Sequence, residues 1–220
     1  MKFTKDEIRK AMLLYAVTDQ MWLKDGETLL DVVQEVLKNG ATFLQIREKD
    51  LGEDAFEAEA AKLKALCAEY SVPYVVNDSV EIALKIDADG VHVGQSDIKG
   101  RDIRAMIGPG KILGISAGTV EEAVAAEKAG ADYIGVGAVF PTGTKKNATP
   151  MTMELLRQIV DAVSIPVVAI GGISAGNITQ LAGSGVDGVA VVSAIFAADD
   201  PGAATARLLK LSTEMVRAHG

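Results

Sequence analysis

The stretch TLLDVVQEVLKNGATFLQIREK (residues 28–49) holds one complete helix-to-strand unit. Its first half is an amphipathic helical pattern closed by Asn39-Gly40, a pair suited to ending a helix. Its second half, FLQIREK (43–49), takes the period of a strand: Phe43, Gln45, Arg47 and Lys49 share one face, and Leu44, Ile46 and Glu48 share the other. An amide, a guanidinium and an ammonium along one face of an otherwise apolar strand call for an anion, because buried charge without a partner is expensive.

The same unit recurs along the chain. Short β-branched runs stand at 13–18, 43–48, 73–77, 90–94, 111–116, 133–140, 166–172 and 188–193. Helical patterns fill the intervals, including VEEAVAAEKAG (120–130), MELLRQIVDAV (153–163) and NITQLAGSG (177–185). Thr119 with Glu122 reads as a capping box, and Gly40, Gly130 and Gly185 stand where helices stop. Eight strands, mostly apolar on both faces, alternating with helices predict an α/β fold of the closed (β/α)₈ TIM-barrel type. An open nucleotide-binding sheet would carry G-x-G-x-x-G after the first strand, which ends instead in Thr18-Asp19-Gln20. Thr4 and Glu7 form another capping-box pair and predict an extra N-terminal helix over the barrel floor.

Composition narrows the partners. With 220 residues, 49% hydrophobic and 24% charged, the chain suits a single barrel domain spanning 1–220. A net charge of −8 argues against nucleic acid and against an anionic membrane surface, so an anionic ligand must be met by local positive groups. The start, MKFTKDEIRKAM, lacks the apolar region of a signal peptide, and the expectation is a cytoplasmic protein. The one cysteine, Cys67, forms no internal disulfide and reads as a small buried hydrophobe.

In this fold the site stands at the C-terminal ends of the strands. Strand two brings Gln45, Arg47 and Lys49 there. Strand three brings Asn77 and Asp78, the loop after strand four Asp97, and strand five Ser116. Asp78 and Asp97 follow neighbouring strands, so their carboxylates can converge on Mg²⁺ beside a diphosphate held by the basic face of FLQIREK. Gly171-Gly172 after strand seven and Val192-Ser193 after strand eight read as a second station, for a phosphate monoester. PTGTKK (141–146) lies between the two stations, with Lys145 or Lys146 in reach of a phosphate. Two small phosphorylated substrates and a diphosphate leaving group follow. His92, in mid-strand, reads as a core or supporting residue rather than a base.

These residues resemble the thiamine-phosphate synthase family. The resemblance runs from YAVTD (15–19) through QIREK (45–49), VND (76–78), GVHVGQSD (90–97), GADYIGVGAVFPTGTK (130–145) and AIGGIS (169–174) to GVDGVAVVSAIF (185–196). It implies a transferase that condenses 4-amino-2-methyl-5-hydroxymethylpyrimidine diphosphate with a thiazole phosphate or its carboxylated form. The products are thiamine phosphate and pyrophosphate, by way of a pyrimidine carbocation. It further implies that Gln45, Ile46, Arg47, Glu48, Lys49, Asn77, Ser116 and Lys145 bind the pyrimidine diphosphate, with Arg47, Lys49, Ser116 and Lys145 catalytic. On the same resemblance Asp78 and Asp97 bind Mg²⁺, while Thr142, Gly143, Thr144, Gly172, Val192 and Ser193 take the thiazole phosphate. The rivals are a thiazole tautomerase-like isomerase, whose histidine would stand near Ala117-Gly118, and a non-catalytic sensor of a phosphorylated ligand.

Overall fold

The computed structural model of the chain describes residues 2–48, 51–142 and 150–218. It opens with α1 (Lys5–Ala11), whose N-terminus carries the expected capping box: Glu7 N–H donates to Thr4 Oγ1 at 3.2 Å, and Thr4 N–H donates to Glu7 Oε2 at 2.7 Å. The barrel follows as β1 (Leu14–Val17), α2 (Leu29–Lys38), β2 (Phe43–Ile46), α3 (Glu53–Glu69), β3 (Tyr74–Asn77), α4 (Val80–Lys85) and β4 (Gly90–Val93). It continues as α5 (Ile103–Ile107), β5 (Ile112–Ala117), α6 (Val120–Lys128), β6 (Tyr133–Val136), α7 (Met153–Asp161) and β7 (Val167–Ile170). β8 (Gly188–Val191), α8 (Ser193–Phe196) and α9 (Pro201–Arg217) complete the order. The strands are parallel and the sheet closes, since β1 pairs with β2 through Tyr15↔Phe43 and with β8 through Tyr15↔Ala190. That is the (β/α)₈ barrel the alternation predicts.

The two faces of each strand go to different cores, as a period of two requires. Tyr15, Val17, Phe43, Val75, Ile112, Tyr133, Val168 and Ala190 point into the barrel, where Ile8, Ala11 and Met12 close the floor from α1. Leu14, Ala16, Leu44, Ile46, Val76 and Val91 point outward against the helices. Each such buried aliphatic side chain contributes roughly 1.5–3 kcal/mol. The larger outer layer therefore holds the helices on, and the narrow inner one is left free to become polar near the mouth.

Local differences from the sequence reading have local causes. The helix expected over 177–185 is a 3₁₀ turn at Ile178–Leu181, because Asn177 spends its side chain on the loop before it and Gly183 and Gly185 take positive φ. The sixth strand ends at Val136 rather than Phe140. From Gly137 the chain folds over β7, where Val139 and Phe140 donate to the carbonyls of Ile170 and Gly171 at 3.0 Å each. Thr119 caps α6 as expected, but Glu122 accepts from Gly118 N–H at 2.6 Å, so only half of the capping box forms. Among the described residues no helix is long and apolar enough to cross a membrane.

Candidate active site

At the C-terminal mouth of the barrel a cavity of about 470 Å³ is lined by residues from the ends of all eight strands. A volume in that range suits a small organic ligand. Its β1–β2 wall is fixed by Thr18, whose hydroxyl donates to Glu48 Oε1 at 2.7 Å and accepts from Arg47 N–H at 3.0 Å. Thr18 N–H in turn donates to the Gln45 carbonyl at 3.0 Å. Arg47 is thereby aimed into the cavity on the same side as Gln45. Its side chain is only 14% exposed, yet the carboxylate paired with it among the described residues, Asp19, is 3.8 Å away. A desolvated guanidinium with so loose a partner is ready to take an anion in bidentate fashion.

Glu48 turns the other way. It is held by Thr18 and by Gln20 N–H at 3.3 Å, and burial pushes its carboxyl up to about 6 against the lowering effect of those two bonds.

Below Arg47 the barrel interior becomes a polar chain. Gln45 Nε2 donates to Asn77 Oδ1 at 2.7 Å, and Gln45 Oε1 accepts from Tyr15 OH at 2.5 Å. The Tyr15 and Tyr133 hydroxyls meet at 2.8 Å. His92 lies 3.0 Å from Tyr133 OH through Nδ1 and 3.0 Å from Ser116 Oγ through Nε2. Ser116 is held from outside as well, because Gln95 Nε2 donates to its carbonyl at 2.6 Å. Burial drives both tyrosine hydroxyls well above their ordinary pKa, so they remain protonated donors.

The acidic corner lies at the ends of β3 and β4. Asp78 adopts φ +62°, a left-handed backbone that aspartate tolerates better than most residues. Burial raises its carboxyl pKa, the negative charge of Asp97 raises it further, and the Asn77 amide and Arg47 oppose both. Asp97 Oδ2 also accepts from Gly94 N–H at 2.8 Å, which fixes its loop. Two hard oxygen donors that repel each other fit a divalent cation such as Mg²⁺, which binds through one or two carboxylates and leaves positions for phosphate oxygens. Among the described residues no group of three or more acidic, histidine or cysteine side chains gathers to make a fuller cage.

Opposite stand the ends of β7 and β8. Gly171 and Gly172 take φ +101° and +67°, and a Cβ on Gly172 would lie 2.3 Å from the Pro141 carbonyl oxygen. Glycine is required there by backbone conformation and by space together. Asn177 ties the loop down, donating to the Gly172 carbonyl at 2.8 Å and accepting from Ser174 N–H at 2.8 Å. Across from it α8 begins at Ser193, and the first N–H groups of a helix have no partners within it. Thr142, Gly172, Val192 and Ser193 all line the cavity, as do Gln45, Arg47, Asn77 and Ser116.

The other expected residues fall elsewhere. Ile46 is fully buried in the outer core, so its side chain does not reach a ligand in the cavity, and Glu48 faces Thr18 and Gln20 rather than the cavity. Both placements follow from strand alternation. Lys49, Gly143, Thr144 and Lys145 lie outside the described residues. Sequence reasoning passed over Tyr15, Tyr133, Thr18 and Asn177, whose roles depend on partners far along the chain. The readable signal was two tyrosines at inward positions of strands whose other inward residues are smaller or apolar.

The sequence profile of the family described as thiamine monophosphate synthase matches residues 14–195, which take in every strand of the barrel. A thiamine-phosphate synthase of Alkaliphilus oremlandii is 51% identical over 83% of this chain and 87% of its own length. One of Methanobrevibacter smithii is 49% identical over 90% of this chain and 93% of its own. Among solved structures, the thiamine phosphate pyrophosphorylase from Pyrococcus furiosus superposes with a TM-score of 0.86 at 40% identity, covering 94% of this chain and 98% of that one.

Proposed function

Because the chain belongs to the thiamine monophosphate synthase family, we propose that it joins 4-amino-2-methyl-5-hydroxymethylpyrimidine diphosphate to a thiazole phosphate, releasing pyrophosphate. The observation that carries this reading is the pairing, across one cavity, of Arg47 with the glycine loop and helix start after β7 and β8; Asp78 and Asp97 do not line that cavity but stand beside it, next to the lining residues Asn77 and Ser96. A diphosphate suits the first and a phosphate monoester the second. An isomerase acting on one phosphorylated thiazole has no use for the first.

In the proposed reaction the bond between the pyrimidine methylene carbon and the diphosphate oxygen breaks, and its electron pair leaves with pyrophosphate. The thiazole nitrogen then supplies the pair that forms the new N–C bond to the resulting cation. Arg47 stabilises charge that grows on the leaving group, Gln45 and Ser116 orient the ring, and the Gly172 loop with Val192 and Ser193 holds the second substrate in line. Mg²⁺ held by Asp78 and Asp97 would supply further neutralisation of the departing diphosphate.

The test is a pyrophosphate-release assay with both substrates, each substrate omitted in turn, and Mg²⁺ present or chelated. Release that requires both substrates and the metal is expected. Release from the pyrimidine diphosphate alone at the same rate, or none under any condition while thiazole phosphate still binds, overturns the proposal.

A further inference from the structure

The polar chain inside the barrel has a direction that its atoms determine. Gln45 gives its N–H to Asn77, so the atom facing Tyr15 is a carbonyl oxygen without a proton, and Tyr15 must donate across the 2.5 Å contact. Tyr15 has one proton, now committed. Tyr133 therefore donates across the 2.8 Å contact between the two hydroxyls, and that commits its own proton. His92 Nδ1, 3.0 Å from Tyr133, must then carry a hydrogen, which leaves Nε2 of the neutral ring as an acceptor facing Ser116 Oγ at 3.0 Å. Ser116 supplies that hydrogen.

The sense is set at Gln45, whose amide nitrogen faces the Asn77 oxygen while its amide oxygen faces the Tyr15 hydroxyl. The neighbouring strands are cut to fit the chain. A Cβ on Gly114 would lie 2.3 Å from Tyr133 OH and 2.5 Å from His92 Nδ1, and one on Gly135 would lie 3.2 Å from His92 Cε1.

We propose that Asn77, Gln45, Tyr15, Tyr133 and His92 form a one-way hydrogen-bond relay that ends at Ser116. It holds His92 as the neutral Nδ1–H tautomer and turns the Ser116 proton inward. Ser116 then meets a ligand with its lone pairs, and accepts from a substrate N–H or O–H. Tyr15, Tyr133 and His92 are positioning residues in this arrangement: Ser116 touches the ligand, and they decide which way its hydroxyl points.

The experiment is a long-range ¹H–¹⁵N correlation spectrum of the histidine rings in the full-length, ¹⁵N-labelled, ligand-free protein at pH 8. The chain has two histidines, and the His92 signals are those retained in His219→Ala. A protonated Nδ1 with an unprotonated Nε2 is expected. A proton on Nε2, alone or with one on Nδ1, overturns the relay. In Tyr133→Phe, which keeps the ring and removes the acceptor, the proton is expected to move to Nε2; Tyr15→Phe cuts the next link and carries this arm if the first variant does not fold. An unchanged tautomer in the folded variant also overturns it. The kinetic consequence rests on the activity proposed above: kcat/KM falls roughly ten- to hundredfold in the variant, as for a neutral hydrogen-bond partner left wrongly oriented. A wild-type protein with the Nδ1–H tautomer and no synthase activity would refute that activity and leave the relay standing.

Discussion

Replacing Thr18 with valine keeps the shape of a fully buried side chain and deletes one hydroxyl, which makes it a sharp probe of how Arg47 is aimed. That hydroxyl makes two bonds, to the Glu48 carboxylate at 2.7 Å and from Arg47 N–H at 3.0 Å. A hydrogen bond to a charged group is worth about 1.5–3 kcal/mol, and a buried N–H left without a partner costs about 1–3 kcal/mol. Glu48 is partly solvated, so water replaces some of the first term, and the sum at pH 8 is about 2–4 kcal/mol. For a chain of this size that lowers Tm by on the order of 10 °C.

The pH dependence separates the two bonds. Glu48 has a folded pKa of about 6, above the ordinary carboxyl value, so its favourable contribution is present below that ordinary value and is lost as pH rises through 6. Thr18 opposes that rise, and Thr18→Val moves the folded pKa higher still. The extra penalty in the variant is therefore full above the new pKa and fades as pH falls below 6, where Glu48 is protonated in both proteins. Urea unfolding of wild type and Thr18→Val at pH 8 and pH 5 measures this directly. The gap is expected to narrow to about 1–2 kcal/mol at pH 5, the share of the orphaned Arg47 N–H. An equal gap at both values, or one below about 0.5 kcal/mol at pH 8, refutes the account of this wall.

Three further substitutions test the rest of the cavity. Arg47→Ala is expected to lower kcat/KM by about 10²–10³ while Tm moves little, because a desolvated cation whose partner among the described residues stands 3.8 Å away adds little stability; unfolding at room temperature would refute this. Asp78→Asn, which suits φ +62°, removes one of two facing carboxylates and is expected to raise Tm while demanding far more Mg²⁺ for activity. Since the folded pKa of Asp78 is raised, the gain is largest at neutral pH and vanishes on acidification; a Tm drop above about 4 °C, roughly one kcal/mol or more, would count against it. Gly172→Ala places a Cβ 2.3 Å from the Pro141 carbonyl oxygen in a left-handed conformation, which costs on the order of 1–3 kcal/mol. The KM for thiazole phosphate is expected to rise at least about tenfold and that for the pyrimidine diphosphate by less than about threefold; equal changes would mean the two stations are not separate.

The barrel was legible because every αβ unit repeats its own evidence: a helical stripe, a stop, and a strand with two apolar faces. Gln45 and Arg47 were legible for the opposite reason, as departures from that pattern on an inward face. Tyr15 and Tyr133 were not, since a tyrosine on an apolar strand reads as core until barrel closure brings together hydroxyls 118 residues apart. The left-handed turn at Asp78 leaves no mark in VND, and the two glycines of NITQLAGSG were outweighed by its helical spacing although they end the turn early. The common thread is that sequence spacing reports which face a residue occupies, while polar satisfaction is settled between strands.

That settlement also explains what is left over at the mouth. Among the described residues no buried side-chain donor or acceptor lacks a partner, so the polar interior from Asn77 to Ser116 is satisfied before a ligand arrives. The unmet electrostatics lie above it. Among the described residues Arg47 has one loosely paired carboxylate, and Asp78, which feels the Arg47 charge, is repelled by Asp97. A cation alone would relieve the acids and leave Arg47 loosely paired; an anion alone would do the reverse. On the proposed reading a diphosphate together with a divalent cation would satisfy both corners at once, Arg47 through the phosphate oxygens and the two aspartates through the cation.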